Sequence, residues 1–178
     1  MSPSAEPPPA APVRLVDVSE AVLEQLLTVA IQDADADEVT PPLGSAAGWN
    51  SERISWFREY HHAAAGLDAP SQQKSWAISC DGQLAGSIRL KRTGQGTLET
   101  GIWLGRSFRG QGIAREALRL VIDRAAASGA AVLEADTTAG NTAALVLLRS
   151  AGARLDEGQA SDDAAVPVKA SIPLRQLY

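Results

Sequence analysis

The stretch that most restricts the fold is SFRGQGIAREALRLVI, residues 107–122, where Gly110 and Gly112 stand between a strand-like run, TLETGIWL, and an amphipathic helix. In that helix Ile113, Ala117, Leu118, Val121, Ile122 and Ala125 fall on one face, and Ser128 and Gly129 end it. A strand that passes through glycines into a helix leaves the first backbone N–H groups of the helix without partners. The glycines permit positive φ or close approach of a ligand, and Arg109 and Arg115 can add charge-assisted donors. The local expectation is an anion cradle, with pyrophosphate as one occupant. On these residues alone, a glycine-rich helix entry that binds nothing stays open. Two better-known phosphate loops fail here: the chain lacks Gly-Lys-Ser/Thr after the glycines, and Arg115 occupies the third glycine position of G-x-G-x-x-G.

Upstream, the runs KSWAISC, QLAGSIRL and TLETGIWL are separated by Asp81-Gly82 and by TGQG at 93–96, which predicts three consecutive antiparallel strands. They are preceded by a strand at VRLVDV and a helix at EAVLEQLLTVAIQ with Ser19 as its cap. An acidic, Pro/Gly-rich loop, DADADEVTPPLGSAAG, leads to a second helix at NSERISWFREYHHAAAG, capped by Asn50 or Ser51. Downstream come a strand at AVLEADT, a short helix at NTAALVLLRSAGA closed by Gly152, and a last strand at VPVKASIPL interrupted by Pro167 and Pro173. The pattern predicts one mixed α/β (α+β) domain over residues 13–178, with a central, mostly antiparallel sheet flanked by helices. Five prolines in the first twelve residues predict a disordered or extended tail over 1–12.

Charge and composition remove several classes of function. A net charge of -5 offers no basic footprint for nucleic acid and slightly favours a cationic partner. One cysteine, Cys80, excludes an internal disulfide and a Cys-cluster zinc site, and a cytoplasmic setting is expected. Cys80 lacks a recognisable base partner and reads as a small core or strand residue. No run of about 18 apolar residues suggests a membrane span, and the first residues lack the features of a signal peptide. His61 and His62 are adjacent, so they cannot form an i, i+4 metal pair, and they read as a surface helix end. Trp49, Trp56, Trp76 and Trp103 read as core or cleft-lining aromatics.

Arg109, Gly110, Gln111, Gly112, Ile113 and Ala114 match the Q/R-x-x-G-x-G/A signature, and ETGIWL precedes it as a strand. Asn141, Ala144, Leu147 and Gly152 lie at the spacing of a second segment, N-x-x-A-x-x-L-Y-x-x-x-G-F. On these motifs the chain resembles the GNAT N-acetyltransferases, and ETGIWLGRSFRGQGIAREAL resembles the branch of ribosomal-protein N-terminal and aminoglycoside acetyltransferases. The resemblance implies the GNAT fold, splayed at GIWL to admit a pantetheine arm, with acetyl-CoA as acyl donor and no metal. It implies cofactor binding by Ile102, Trp103, Leu104, Arg109, Gly110, Gln111, Gly112, Ile113, Ala114, Arg115 and Asn141. Backbone N–H groups of the Ile102–Leu104 strand would polarise the thioester carbonyl. Read locally, Asn141 is equally suited to capping a turn or helix.

Transfer would run directly from acetyl-CoA to a primary amine in a ternary complex. Glu99, in the strand before the cradle, is the candidate base, with Glu134 and Asp136 on the next strand as lesser candidates. Leu148 stands where the family often has tyrosine, and Ala153 where it has phenylalanine, which leaves the general acid unassigned. The acceptor is a protein N-terminus or a small cationic amine; homodimerisation stays open. The alternative reading is a non-catalytic acyl-CoA sensor.

Overall fold

The computed structural model describes residues 12–159, 161 and 165–175. The proline-rich tail expected over 1–12 lies outside the described residues except for Pro12. The chain opens with β1 (Val13–Asp17) and α1 (Glu20–Asp33), whose cap Ser19 accepts a hydrogen bond from the Val22 N–H. A one-turn helix, α2 (Ala36–Val39), leads to α3 (Ser51–Ala63) and the two-residue β2 (Ala65–Gly66). The three antiparallel strands expected from the sequence are β3 (Gln73–Cys80), β4 (Gln83–Gly94) and β5 (Thr97–Leu104). They are followed by α4 (Ile113–Ala127), β6 (Val132–Thr138), α5 (Thr142–Ser150), β7 (Arg154–Glu157) and β8 (Pro167–Pro173).

The sheet runs β1-β3-β4-β5-β6-β8-β7, and only β5 and β6 are parallel along this order. They are joined through α4, as a parallel pair requires a crossover. Their pairing spans Thr97 to Glu99 on β5 and Val132 to Glu134 on β6, then stops. Thr100–Leu104 keeps its ladder with β4, while Ala135–Thr138 keeps its ladder with β8. The sheet is therefore split from residue 100 onward, and this split is the wedge that positions the site.

Each face of the sheet has its own core. On one face α4 lays Ile113, Ala117, Leu118, Val121 and Ala125 against Ile88, Leu90, Leu98 and Leu133. Burying a side chain of the size of Leu118 or Val121 stabilises the fold by roughly 1.5–3 kcal/mol. On the other face α1 buries Leu23, Leu26, Leu27 and Ala30 beside Phe57 of α3 and Ala77 of β3, with Trp103 packed alongside.

Two expectations need correction, and one strand was not foreseen. The acidic stretch read as loop contains α2, where Asp35 caps a single turn by accepting from the Asp37 N–H; one turn is too short to show a helical period. Residues 154–157 form an edge strand, β7, whose mostly exposed RLDE sequence carries no apolar alternation. Pro167 and Pro173 do not interrupt the last strand; they stand at its two ends, where a missing N–H costs the ladder least.

Candidate active site

The glycine turn and α4 differ from the other helix starts. Ser19, Asp35, Asn50 and Asn141 cap the other four α-helices with a side-chain oxygen, whereas no side chain caps α4. Its N-cap is Gly112, at φ 79°, and Gly110 has φ 73°, a left-handed conformation costly for residues with a Cβ. A Cβ at either glycine would meet nothing within 4 Å. The N–H groups of Ile113, Ala114 and Arg115 have no acceptor within the helix. They open onto a groove of about 1030 Å³, whose walls include Ile102–Leu104 of β5 and Asn141, Thr142 and Val146 of α5. Unpaired N–H groups, the positive end of a helix dipole and apolar walls suit a pyrophosphate carrying an apolar arm, so the groove fits coenzyme A.

The side chains of the turn mainly hold it in place. Arg109 donates through Nε and Nη2 to the Leu104 carbonyl, at 3.2 and 3.0 Å, and through Nη2 to Glu38 at 2.6 Å. Gln111 donates to the Ser107 carbonyl at 2.9 Å, and Ser107 donates through its N–H and hydroxyl to Asp33 at the end of α1. The Ser107 hydroxyl holds the Asp33 carboxyl below the usual carboxylate range, against the opposing effect of burial. Gly105 is needed here, because a Cβ would lie 2.5 Å from Asp33. Arg115 is exposed and lines the groove. Asn141 also lines the groove, while its Oδ1 caps α5 by accepting from the Ala144 N–H at 3.1 Å.

Backbone alternation sorts the three strand residues expected to meet the acyl group. The Trp103 carbonyl faces β4, where a Cβ on Gly86 would collide with it. The Leu104 carbonyl faces away and accepts from Arg109. Neighbouring residues of a strand turn their polar groups to opposite edges, so Ile102 and Leu104 present theirs toward the split and Trp103 toward β4.

On the opposite side of β5 lies a smaller cavity of about 270 Å³. Its walls are Trp56, Phe57, Tyr60 and His61 of α3, Ser87 and Arg89 of β4, and Gly101 and Trp103 of β5. Glu38, Ile102 and Trp103 line both this cavity and the groove, so the two spaces meet at those residues. Phe57 packs edge-on to Trp103 and His61, and Tyr60 stacks on Trp56 with centroids 5.1 Å apart.

Glu99 shares the β5 face that carries Gly101 and Trp103. Its Oε1 accepts from Arg89 Nη2 at 2.7 Å. Gly101, the cross-strand partner of Arg89, gives the guanidinium room, since a Cβ there would lie 3.1 Å from Arg89 Nε. Among the described residues Arg89 lines the small cavity and Glu99 lines neither space. The two lesser carboxylates, Glu134 and Asp136, lie 3.5 and 3.9 Å from Lys169 of β8. Leu148, at the position of the family tyrosine, is buried in the α4-side core, and its neighbour Leu147 lines the groove.

His61 corrects an expectation. It is 6% exposed, not a surface residue, and its Nδ1 lies 2.8 Å from the Ser75 hydroxyl. Burial, reinforced by the nearby His62, lowers its pKa to about 4. The doublet HH hides this difference because one histidine turns inward while the other faces solvent and meets Glu20. Sequence reasoning also missed Glu38, Arg89 and Tyr60. Glu38 sits in an acidic run read as a solvated loop, and Arg89 and Tyr60 carry no motif. Cys80 is half-buried against the core, as expected. Among the described residues no cluster of His, Cys, Asp and Glu could hold a metal, and no helix is long and apolar enough to cross a membrane.

A split sheet with an uncapped glycine turn at its mouth defines an acyl-CoA-dependent transferase. The acetyltransferase (GNAT) domain family matches residues 14–154, and the chain belongs to that family. It is an acetyl-CoA-dependent N-acetyltransferase domain. Similar solved structures include RimL, a ribosomal L7/L12 α-N-protein acetyltransferase, in complex with coenzyme A: TM-score 0.72, 16% identity, 91% of this chain and 94% of that one. Mycobacterium smegmatis RimJ in complex with CoA-disulfide aligns at TM-score 0.73 and 21% identity, over 93% of this chain and 83% of that one. YncA from Salmonella typhimurium, with acetyl-CoA, aligns at TM-score 0.63 and 15% identity, over 94% and 96%. A comparison with curated protein sequences gives no match.

Proposed function

We propose that the domain transfers an acetyl group from acetyl-CoA, held in the large groove, to a primary amine entering through the small cavity. The amine is that of a protein N-terminus or a small cationic molecule. The observation that carries this reading is the meeting of the two spaces at Glu38, Ile102 and Trp103. A thioester at that junction would lie beside the edge of β5, and an amine in the cavity would face it. Holding both reactants in place converts a bimolecular encounter into an effectively unimolecular step.

In this mechanism Gly110, Gly112 and the N–H groups of Ile113–Arg115 hold the pyrophosphate, with Arg109, Gln111 and Asn141 shaping the turn and the neighbouring helix. Backbone N–H groups of Ile102 and Leu104, which face the split, stabilise the oxygen that becomes negative in the tetrahedral intermediate. Glu38 holds the incoming ammonium at the junction. Glu99, fixed by Arg89, takes the ammonium proton through water, and the free amine attacks the carbonyl carbon. The C–S bond then breaks, and the second proton on nitrogen passes to the leaving thiolate. An α-amine, with a pKa of about 7.7–8.0, demands less of the base than a lysine-like amine near 10.4. The lone Cys80 suits a reducing, cytoplasmic setting.

Thiol release in a screen of peptide N-termini, lysine peptides, polyamines and aminoglycosides tests the reading. Turnover of at least one class is expected. Tight coenzyme A binding with no turnover anywhere would favour a non-catalytic acyl-CoA sensor instead. Within an active enzyme, Glu99→Gln should lower kcat by about 100-fold or more and flatten its rise with pH. An unchanged rate and pH profile would remove Glu99 as the base.

A further inference from the structure

Two residues in the wall of the small cavity carry buried polar atoms without a hydrogen-bond partner. Tyr60 Oη and Arg89 Nη1 are closed off from solvent and have no partner in the protein. Both residues line the cavity of about 270 Å³. Buried polar groups are normally paired, because an unpaired one forfeits its bonds to water without compensation. These two are also held rigidly. The Tyr60 ring is stacked on Trp56 and lies edge-on to His61 at 5.1 Å. Arg89 is anchored through Nη2 to Glu99 at 2.7 Å and seated over Gly101. The other hydroxyl in the wall, that of Ser87, is already donated to the Trp76 carbonyl at 2.9 Å. His61 is held neutral by burial.

We propose that Tyr60 Oη and Arg89 Nη1 form a subsite that receives an oxygen of the acceptor, which assigns the acceptor to the α-amino carbonyl class. The inference rests on the reading of the domain as an amine acetyltransferase. The acceptor nitrogen must reach the junction at Glu38, while Arg89, in the cavity wall, has an unpartnered Nη1 that can only donate. A polyamine presents protonated nitrogens, which can accept from neither group and so leave Arg89 Nη1 unpaired. A carbonyl close to the amine supplies the missing acceptor while leaving the ammonium to Glu38. Free amino acids and peptide N-termini share this chemistry. Glu99 already balances the charge of Arg89, so the neutral carbonyl of a peptide or amide is preferred over a free carboxylate.

Alaninamide, tri-alanine, free alanine and sec-butylamine, which keeps a similar skeleton without the carbonyl, separate the possibilities. Rates are compared per free amine, and binding to the coenzyme A complex is read from tryptophan fluorescence. Alaninamide and tri-alanine should have the lowest KM and tightest binding, alanine should be weaker, and sec-butylamine weakest. Tyr60→Phe should raise KM for alaninamide about tenfold, the equivalent of one lost hydrogen bond, leave sec-butylamine unchanged and leave the melting temperature unchanged or raised. Arg89→Lys, which keeps a cation beside Glu99, should act in the same direction. If alaninamide and sec-butylamine are used equally well, or Tyr60→Phe leaves their ratio unaltered, the subsite is overturned and the transfer reading stands. Carbonyl-selective, Tyr60-dependent binding without turnover of any amine would keep the subsite and overturn the transfer reading.

Discussion

The donor groove and the acceptor cavity share β5 but are built in opposite ways. The groove is made of backbone: an uncapped helix start, two left-handed glycines and the open edge of a strand, with most critical atoms between residues 102 and 115. The cavity is made of side chains from α2, α3, β4 and β5, residues far apart in sequence that meet only after folding. A backbone site tolerates changes of side chain but not of local geometry. A side-chain site can be retuned one residue at a time on a fixed scaffold. The difference predicts where affinity for the invariant donor and selectivity for the acceptor reside.

The strongest test of that division fills the donor cradle. Gly112→Trp places a bulky residue where no atom now lies within 4 Å of a Cβ and forces it to adopt positive φ. Losing two hydrogen bonds to a charged group, at about 1.5–3 kcal/mol each, corresponds to roughly a thousandfold loss of coenzyme A affinity. Binding of an acceptor analogue by tryptophan fluorescence should change little, because Gly112 does not line the small cavity. Calorimetry that finds coenzyme A affinity unaltered would remove the pyrophosphate from this turn, and equal losses on both sides would dissolve the distinction between the two spaces.

The same contrast explains what could be read from the sequence. The groove is local, so Gly110, Gly112 and the helix after them were legible from the spacing of a dozen residues. The antiparallel run of β3, β4 and β5 was legible too, since Asp81-Gly82 and TGQG mark its two hairpins. Arg89 and Tyr60 were illegible because their significance is a shared lack of partners, which exists only once β4 lies beneath α3. Glu38 was obscured by the acidic run around it, and His61 by its exposed neighbour. In both cases composition suggested solvent: His61 is buried on its helix face, whereas Glu38 stays exposed but is carried by its single helical turn to Arg109 and to the junction of the two spaces.

His61 provides the next largest effect, and it should be confined to the acceptor half. Its folded-state pKa of about 4 lies below the ordinary 6.5, so the unfolded chain binds the proton more tightly. Its contribution is complete above pH 6.5 and is lost as pH falls from 6.5 through 4, amounting to roughly 3 kcal/mol at the limit. Urea midpoints at pH 7 and pH 4.5 should show the decline, and His61→Gln should remove much of it. Acceptor binding to the folded protein should weaken only as pH approaches 4, where folded His61 takes up its proton and a charge would stand in the cavity wall. Coenzyme A affinity should not follow the titration. A His61→Gln protein that retained the full pH dependence would shift the effect to other groups.

Arg109 marks where the two halves touch and offers the smallest, most discriminating change. It lines the groove, yet its guanidinium is engaged by the Leu104 carbonyl and by Glu38, the residue that also lines the acceptor cavity. The ion pair is exposed, with side-chain accessibilities of 44% and 47%, so its direct contribution is at most about 1 kcal/mol and is weakened by salt. If Arg109 mainly joins the halves, Arg109→Gln should change coenzyme A affinity by less than about fivefold and raise the acceptor KM by a similar or larger factor, because Glu38 loses its anchor. Glu38→Gln should then raise the acceptor KM without altering coenzyme A affinity, and the double variant should show less than the sum of the two single effects. If Arg109→Gln instead lowers coenzyme A affinity a hundredfold while the acceptor KM is unaffected, the guanidinium must release Glu38 and turn onto the phosphates when the donor binds. The donor site would then depend on a side chain as well as on its backbone cradle.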